Sequence, residues 1–166
     1  MITTQVLQTK GGDAVEILKN DHTLIKSMLV ALVGATDRQT RAEILEKAKG
    51  VLTVHNATEE NLVYPAIQTV AGQKRESEHL YHETAEADVL IFELDTMLKT
   101  GDDSKFGETA AKLKDAVFKH IDDEETSAFP DLQEKSSPDQ STSLTNAVRE
   151  FRGAFKFQPG AGGAIH

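Results

Sequence analysis

The sequence predicts an all-α protein: an up-down-up-down four-helix bundle with an additional C-terminal helix and an irregular tail. Three observations carry this. Apolar residues recur at helical spacing in four long stretches, and no stretch shows the sustained alternation of a half-buried strand. Clusters of Gly, Pro and Asp separate the stretches at short intervals, which favours antiparallel neighbours. A chain of 166 residues is long enough to bury one core without outside help.

The first helix is expected over about 13–33, with Val15, Leu18, His22, Ile25, Leu29 and Leu32 on one stripe and Gly34 as its stop. The second opens at Asp37, a good N-cap, and carries Ile44, Leu45, Val51, Leu52, His55 and Leu62 up to Pro65, with Gly50 as a weak point. After Gly72 the third runs over about 75–99, with His82, Ala85, Val89 and Phe92 taken as its apolar stripe, and ends at the turn 100–103. The fourth begins near Ser104 and carries Phe106, Ala110, Leu113, Val117, His120 and Ile121 towards Pro130. A shorter amphipathic segment over about 141–155 packs outside the bundle, and 158–164 form a Pro/Gly/Ala-rich tail. The expected division is a metal-binding bundle over 1–134 and an extension over 135–166.

Composition narrows the function. The absence of cysteine removes disulfides, thiolate metal sites and cysteine nucleophiles. A net charge of −9 repels phosphate backbones, so no nucleic-acid partner is expected. The longest strongly apolar run, 89–92, is far too short for a membrane span, and the N-terminus lacks an export signal, so a soluble cytoplasmic protein with no membrane partner is expected.

Two segments repeat one another. His55, Glu59, Glu60, Tyr64 and Pro65 match His120, Glu124, Glu125, Phe129 and Pro130 at identical offsets. A His and a Glu four apart on a helix stack one turn over the other, so both reach one point beside it. His22 and His82 stand 33 and 38 residues before these blocks, each on the apolar stripe assigned to its helix. Two helical hairpins docked about an approximate twofold axis are therefore expected. One histidine on an apolar stripe is ordinarily a core residue bonded to a carbonyl. Four of them with two glutamates would be a costly core unless they hold a metal. Glu60 and Glu125 point roughly 100° away from their neighbours and are expected to be solvated or to support the ligands. Tyr64, Phe129 and the prolines are expected to form an apolar lid and a helix terminator.

The third helix offers alternatives. His82 repeats the setting of His22, His79 lies about 60° away on the same helix, and Glu78 sits one turn above His82, where the first hairpin has Leu18. The candidate ligands are thus His22, His55, Glu59, His79, His82, His120 and Glu124, with Glu78 as an alternative to His79.

As a set, Asp21-His22 and the two His-x-x-x-Glu-Glu-x-x-x-aromatic-Pro blocks resemble the hemerythrin-like HHE cation-binding domain family over about 13–132. The resemblance implies a hemerythrin-like four-helix bundle with an oxo- or hydroxo-bridged non-haem pair of iron ions (Fe2+/Fe3+). It implies His22, His55, His82 and His120 as terminal ligands and Glu59 and Glu124 as bridges. Oxygen-carrying members have a His pair at i, i+4 in the third helix and an acid five residues after the last His, and this sequence departs from both features. Imidazole and carboxylate donors without thiolate independently suit iron, with manganese or zinc as the other candidates. The expected function is binding of dioxygen or a related diatomic or peroxide ligand for sensing, storage or detoxification. The alternatives are a cation-responsive module acting through a protein partner and a peroxide-consuming enzyme, and whether there is turnover is left open.

Overall fold

The first two helices begin where an aspartate side chain satisfies an early amide. In the computed structural model, which describes residues 12–154, Asp13 accepts from the Glu16 amide at 3.0 Å and opens α1 (Ala14–Gly34). Asp37 accepts from the Thr40 amide at 2.9 Å and opens α2 (Arg38–Thr58). A π-helical turn over Glu59–Val63 follows, and then the short α3 (Tyr64–Thr69). After the tight turn at Gly72, α4 (Lys74–Thr100) runs to Gly101, whose left-handed φ of 86° stops it. α5 (Phe106–Asp123), a second π turn (Glu124–Ala128) and α6 (Phe129–Lys135) repeat the plan of the second helix. α7 (Pro138–Ala154) closes the described chain. All of this is helical, in the predicted order. The predicted tail over 158–164 and the last residue of the predicted fifth helix lie outside the described residues.

α1 packs on α2 and α5, and α4 packs on α5 and α2, so the four long helices close a ring. α7 lies outside it against α1, α2 and the first π turn. Val148 of α7 is fully buried beside Ala14 and Ile17, and Thr145 Oγ1 accepts from the Ala14 amide at 3.0 Å, capping the start of α1.

The core is layered along the bundle axis. Ile25, Leu29, Leu52, Leu94, Phe106, Leu113 and Val117 belong to one apolar cluster, and Val15, Leu18, Val63, Ile67, Leu80, Phe129 and Leu132 to a second. In chain order His22 stands between Leu18 and Ile25, and His120 and Glu124 between Val117 and Ala128. The helices thus carry a buried polar layer between two apolar ones.

Two sequence expectations are corrected. The prolines do not end their helices: Pro65 and Pro130 lack the amide that an α-turn requires, and the chain absorbs this by widening one turn and staying helical. The Tyr64 N–H reaches back five residues to Glu59 O, and the Phe129 N–H to Glu124 O. The stripe assigned to the third helix faces outward: Val89 is 58% and Phe92 70% exposed, while Leu80, Thr84, Ala87 and Leu94 face the core. The run Leu80, Thr84, Ala87, Ile91, Leu94, Leu98 is the longer apolar series, and it sets the rotation of α4.

Candidate metal centre

His22, His55, Glu59 and Glu124 are buried and bring one donor atom each to within 4.8 Å of one another. Glu59 Oε1 stands 3.1 Å from His55 Nε2 and 3.7 Å from His22 Nε2, and Glu124 Oε2 stands 3.2 Å from His22 Nε2. The other oxygens of the same carboxylates face the opposite side. Glu124 Oε1 is 3.3 Å from His120 Nε2, and the Tyr64 hydroxyl is 3.0 Å from Glu124 Oε1, 3.1 Å from Glu59 Oε2 and 3.2 Å from His120 Nε2. Each glutamate thus turns one oxygen to His22 and the other to Tyr64, with His55 beside Glu59 and His120 beside Glu124, an arrangement that would suit carboxylates shared between two cations.

Tyr64 is the donor that sequence reasoning missed. On an unbroken α-helix the residue nine after a histidine lies about 180° from it, so Tyr64 would face away from the site. The π turn inserts one residue, and Tyr64 returns to within roughly 80° of His55. The signal was present in the repeat, where Tyr64 and Phe129 hold matched positions and only one of them has a hydroxyl. Phe129 instead stacks on His22, with ring centroids 5.7 Å apart and planes 7° from parallel.

Each imidazole is oriented from behind by a carboxylate. His22 Nδ1 lies 2.7 Å from Glu125 Oε1, His55 Nδ1 3.1 Å from Asp21 Oδ2, and His120 Nδ1 3.1 Å from Glu83 Oε2. Such contacts fix the ring plane and leave Nε2 aimed at the centre. Glu125 therefore supports a candidate ligand, one of the two roles expected for it. Glu60, in the matched position, makes no such pair among the described residues.

The third-helix expectations are corrected. His82 has 72% of its side chain exposed and sits 3.3 Å from Glu86, and Glu78 is exposed beside Lys74. His79, 48% exposed, lies at the rim, 3.2 Å from Glu83 Oε1 and 3.6 Å from Asp123, in a group where Lys119 already pairs with both carboxylates. The rotation of α4 that buries Leu80 and Ala87 turns both histidines away and presents Glu83 and Thr84 to the centre.

Burial and close opposite charge act against one another throughout the group. Burial disfavours the charged form of His22, yet the Glu124 and Glu59 carboxylates close to its Nε2 outweigh it and lift its pKa to about 10. His120 rises to about 10 in the same way, with burial opposed by Glu124 and Glu83. Burial would raise Glu59, but His55 and His22 hold it well below the usual carboxylate range. Burial and the two carboxylates push the Tyr64 phenol well above its ordinary value. Even so, His22 Nε2, Glu59 Oε1 and Glu124 Oε2 are buried without a hydrogen-bond partner. Three such atoms, each costing about 1–3 kcal/mol, face one another across the same small space. A cation ligated by all three relieves that cost, so the donor set fits a metal.

The hemerythrin HHE cation binding domain family model matches residues 13–132. The chain belongs to that family. The fold agrees with a crystal structure of a hemerythrin HHE cation binding domain-containing protein from Mycobacterium kansasii, at a TM-score of 0.70 and 19% identity over 87% of this chain and 90% of that one. The chain is also 24% identical over 149 residues to a Nostoc sp. protein named DNA nickase, covering 89% of this chain and 41% of the relative's length. Among the described residues no helix is long and apolar enough to cross a membrane.

Proposed function

We propose that this HHE domain holds a pair of iron ions and binds dioxygen or a related small oxidant beside them. The observation that carries the reading is the split of the two glutamates, with one oxygen of each towards His22 and the other towards Tyr64, His55 standing beside Glu59 and His120 beside Glu124. His22, His55, His120 and Tyr64 would be the terminal ligands, and Glu59 and Glu124 the bridges. Imidazole, carboxylate and phenolate donors without thiolate suit iron, and a bound iron pair supplies electron transfer to oxygen-derived ligands.

The chain's own residues prepare the site for such a ligand. A small cavity beside the polar layer is lined by the apolar Ile25, Leu52, Ala87, Val117 and Ile121 and by the polar His55, Asn56, Glu83, Thr84 and His120. Apolar walls keep bulk water from the metal face and admit a small uncharged molecule. In the metal-free chain the Tyr64 hydroxyl lies within hydrogen-bond reach of Glu59 and Glu124, and as a metal ligand it would give up that proton. The nicking named for the Nostoc relative is not carried over, because this chain spans 41% of that protein and its charge of −9 opposes a phosphate backbone.

The test is metal analysis of protein produced with added iron, followed by anaerobic reduction and admission of air or peroxide. About two irons per chain and a spectrum that changes on admission support the reading. Less than one transition metal per chain, or a loaded spectrum that ignores both oxidants, overturns it.

A further inference from the structure

The carboxylate behind His55 is held by a residue from outside the segment that matches the family. Arg152 of α7 is buried, although arginine is rarely so, and all its partners lie in the wall of the metal site. Its Nη1 donates to Asp21 Oδ1 at 3.2 Å, its Nη2 donates to Asp21 Oδ2, and its Nε donates to Thr58 Oγ1 at 3.2 Å. Asp21 Oδ2 is the oxygen that faces His55 Nδ1 at 3.1 Å. A single side chain thereby ties α7 to α1 through Asp21 and to the last turn of α2 through Thr58.

The two-pronged grip fixes the plane of the Asp21 carboxylate, which a single hydrogen bond would leave free to turn. A fixed carboxylate fixes the plane of the His55 ring, with Nδ1 facing Asp21 and Nε2 facing Glu59 Oε1. The other supported histidines have no equivalent of this clamp. Glu125 is partly exposed and holds His22 alone, and Glu83 is paired with Lys119, an exposed residue of α5 inside the matched segment.

We propose that Arg152 is a positioning residue for the metal centre, so that docking of α7 and occupation of the His55 side of the site strengthen one another. This rests on the metal reading above. Coupling of this kind is reciprocal: the factor that Arg152 lends to metal affinity is the factor that metal lends to the docking of α7. Residues behind metal-bound histidines ordinarily change affinity by about 10–100-fold.

The experiment uses the full chain, titrated anaerobically with ferrous iron against a competing chelator, and hydrogen exchange of the α7 amides with and without iron. In Arg152→Met the iron on the His55 side should weaken about tenfold or more, and in Arg152→Lys by a smaller factor because the charge stays and the fork is lost. Arg149→Met is the control: Arg149 also anchors α7, donating to Gly12 O at 3.1 Å, but does not touch Asp21, and its iron affinity should equal that of the wild type. In the wild type, iron should slow exchange across α7. Should Arg152→Met fail to fold, since it leaves Asp21 buried without its main partner, Arg152→Lys and the wild-type exchange decide. Wild-type affinity in the Arg152 variants, or α7 exchange indifferent to iron, overturns the proposal. A wild type that takes up no iron overturns the metal reading, and this inference falls with it.

Discussion

The two hairpins of the bundle share one sequence plan and supply different chemistry. In the first, α1 brings His22 to the centre, and the widened turn after α2 brings the Tyr64 hydroxyl. In the second, α4 brings Glu83 and Thr84, and the matched aromatic is Phe129, which has nothing to donate. The deficits compensate across the axis, because Tyr64 leans over to His120, whose own hairpin brings no second imidazole to the centre. Matched spacing therefore shows where two helices can place ligands. It does not show which of the matched places is filled.

Breaking the shared part of the plan should have the largest effect. Glu59→Ala or Glu124→Ala removes a carboxylate that serves both sides, and iron content measured on the purified protein should fall from about two per chain to below one. Breaking the unshared part should separate the hairpins. His22→Ala should lose iron, whereas His82→Ala should keep both ions and an unchanged spectrum, since its side chain lies in solvent beside Glu86. Equal losses in the two variants would restore a symmetric site and refute the observed rotation of α4. Tyr64→Phe makes the first hairpin copy the second. It should weaken the ion on the His120 side by about tenfold or more and leave the other in place, which a stepwise chelator titration resolves.

The smallest effect concerns the metal-free protein. His22 and His120 have their pKa values raised from 6.5 to about 10, so the stability they contribute is complete below about pH 6.5 and is lost as pH rises through about 10. Melting temperature of the iron-free chain should therefore fall across that window, and the loaded protein, whose imidazoles are held by metal in place of protons, should fall less. A loaded protein with the same slope would mean that these two rings are not the ones occupied.

Much of this was legible in the sequence because it rests on one-turn stacking. His55 with Glu59, and His120 with Glu124, are local on their helices, and the repeat singles them out. The all-helical bundle follows from apolar spacing in the same way. The rotation of α4 was misread because His82 was used to choose the stripe, when Leu80, Ile91, Leu94 and Leu98 had the greater apolar area to bury. Tyr64 was hidden by a break in the 3.6-residue period, which no count of offsets on a regular helix can register. The Asp21–Arg152 pair was hidden by distance, since the two residues are 131 apart and meet only once α7 has docked.

The two π turns also make chain length itself a constraint. A one-residue deletion is readily absorbed by most surface loops, but removing Asn61 or Thr126 would restore the ordinary helical pitch and swing everything beyond it by about 100°. Tyr64 would leave the centre, or Phe129 the face of His22. Ile67 or Leu132 would turn out of the apolar cluster below the site, because each follows its turn on the same rigid helical end. Substitutions at these two exposed positions are cheap by comparison. What each π turn preserves is the count of residues between histidine and proline rather than the identity of those in between, so this stretch should tolerate changes of letter far better than changes of length.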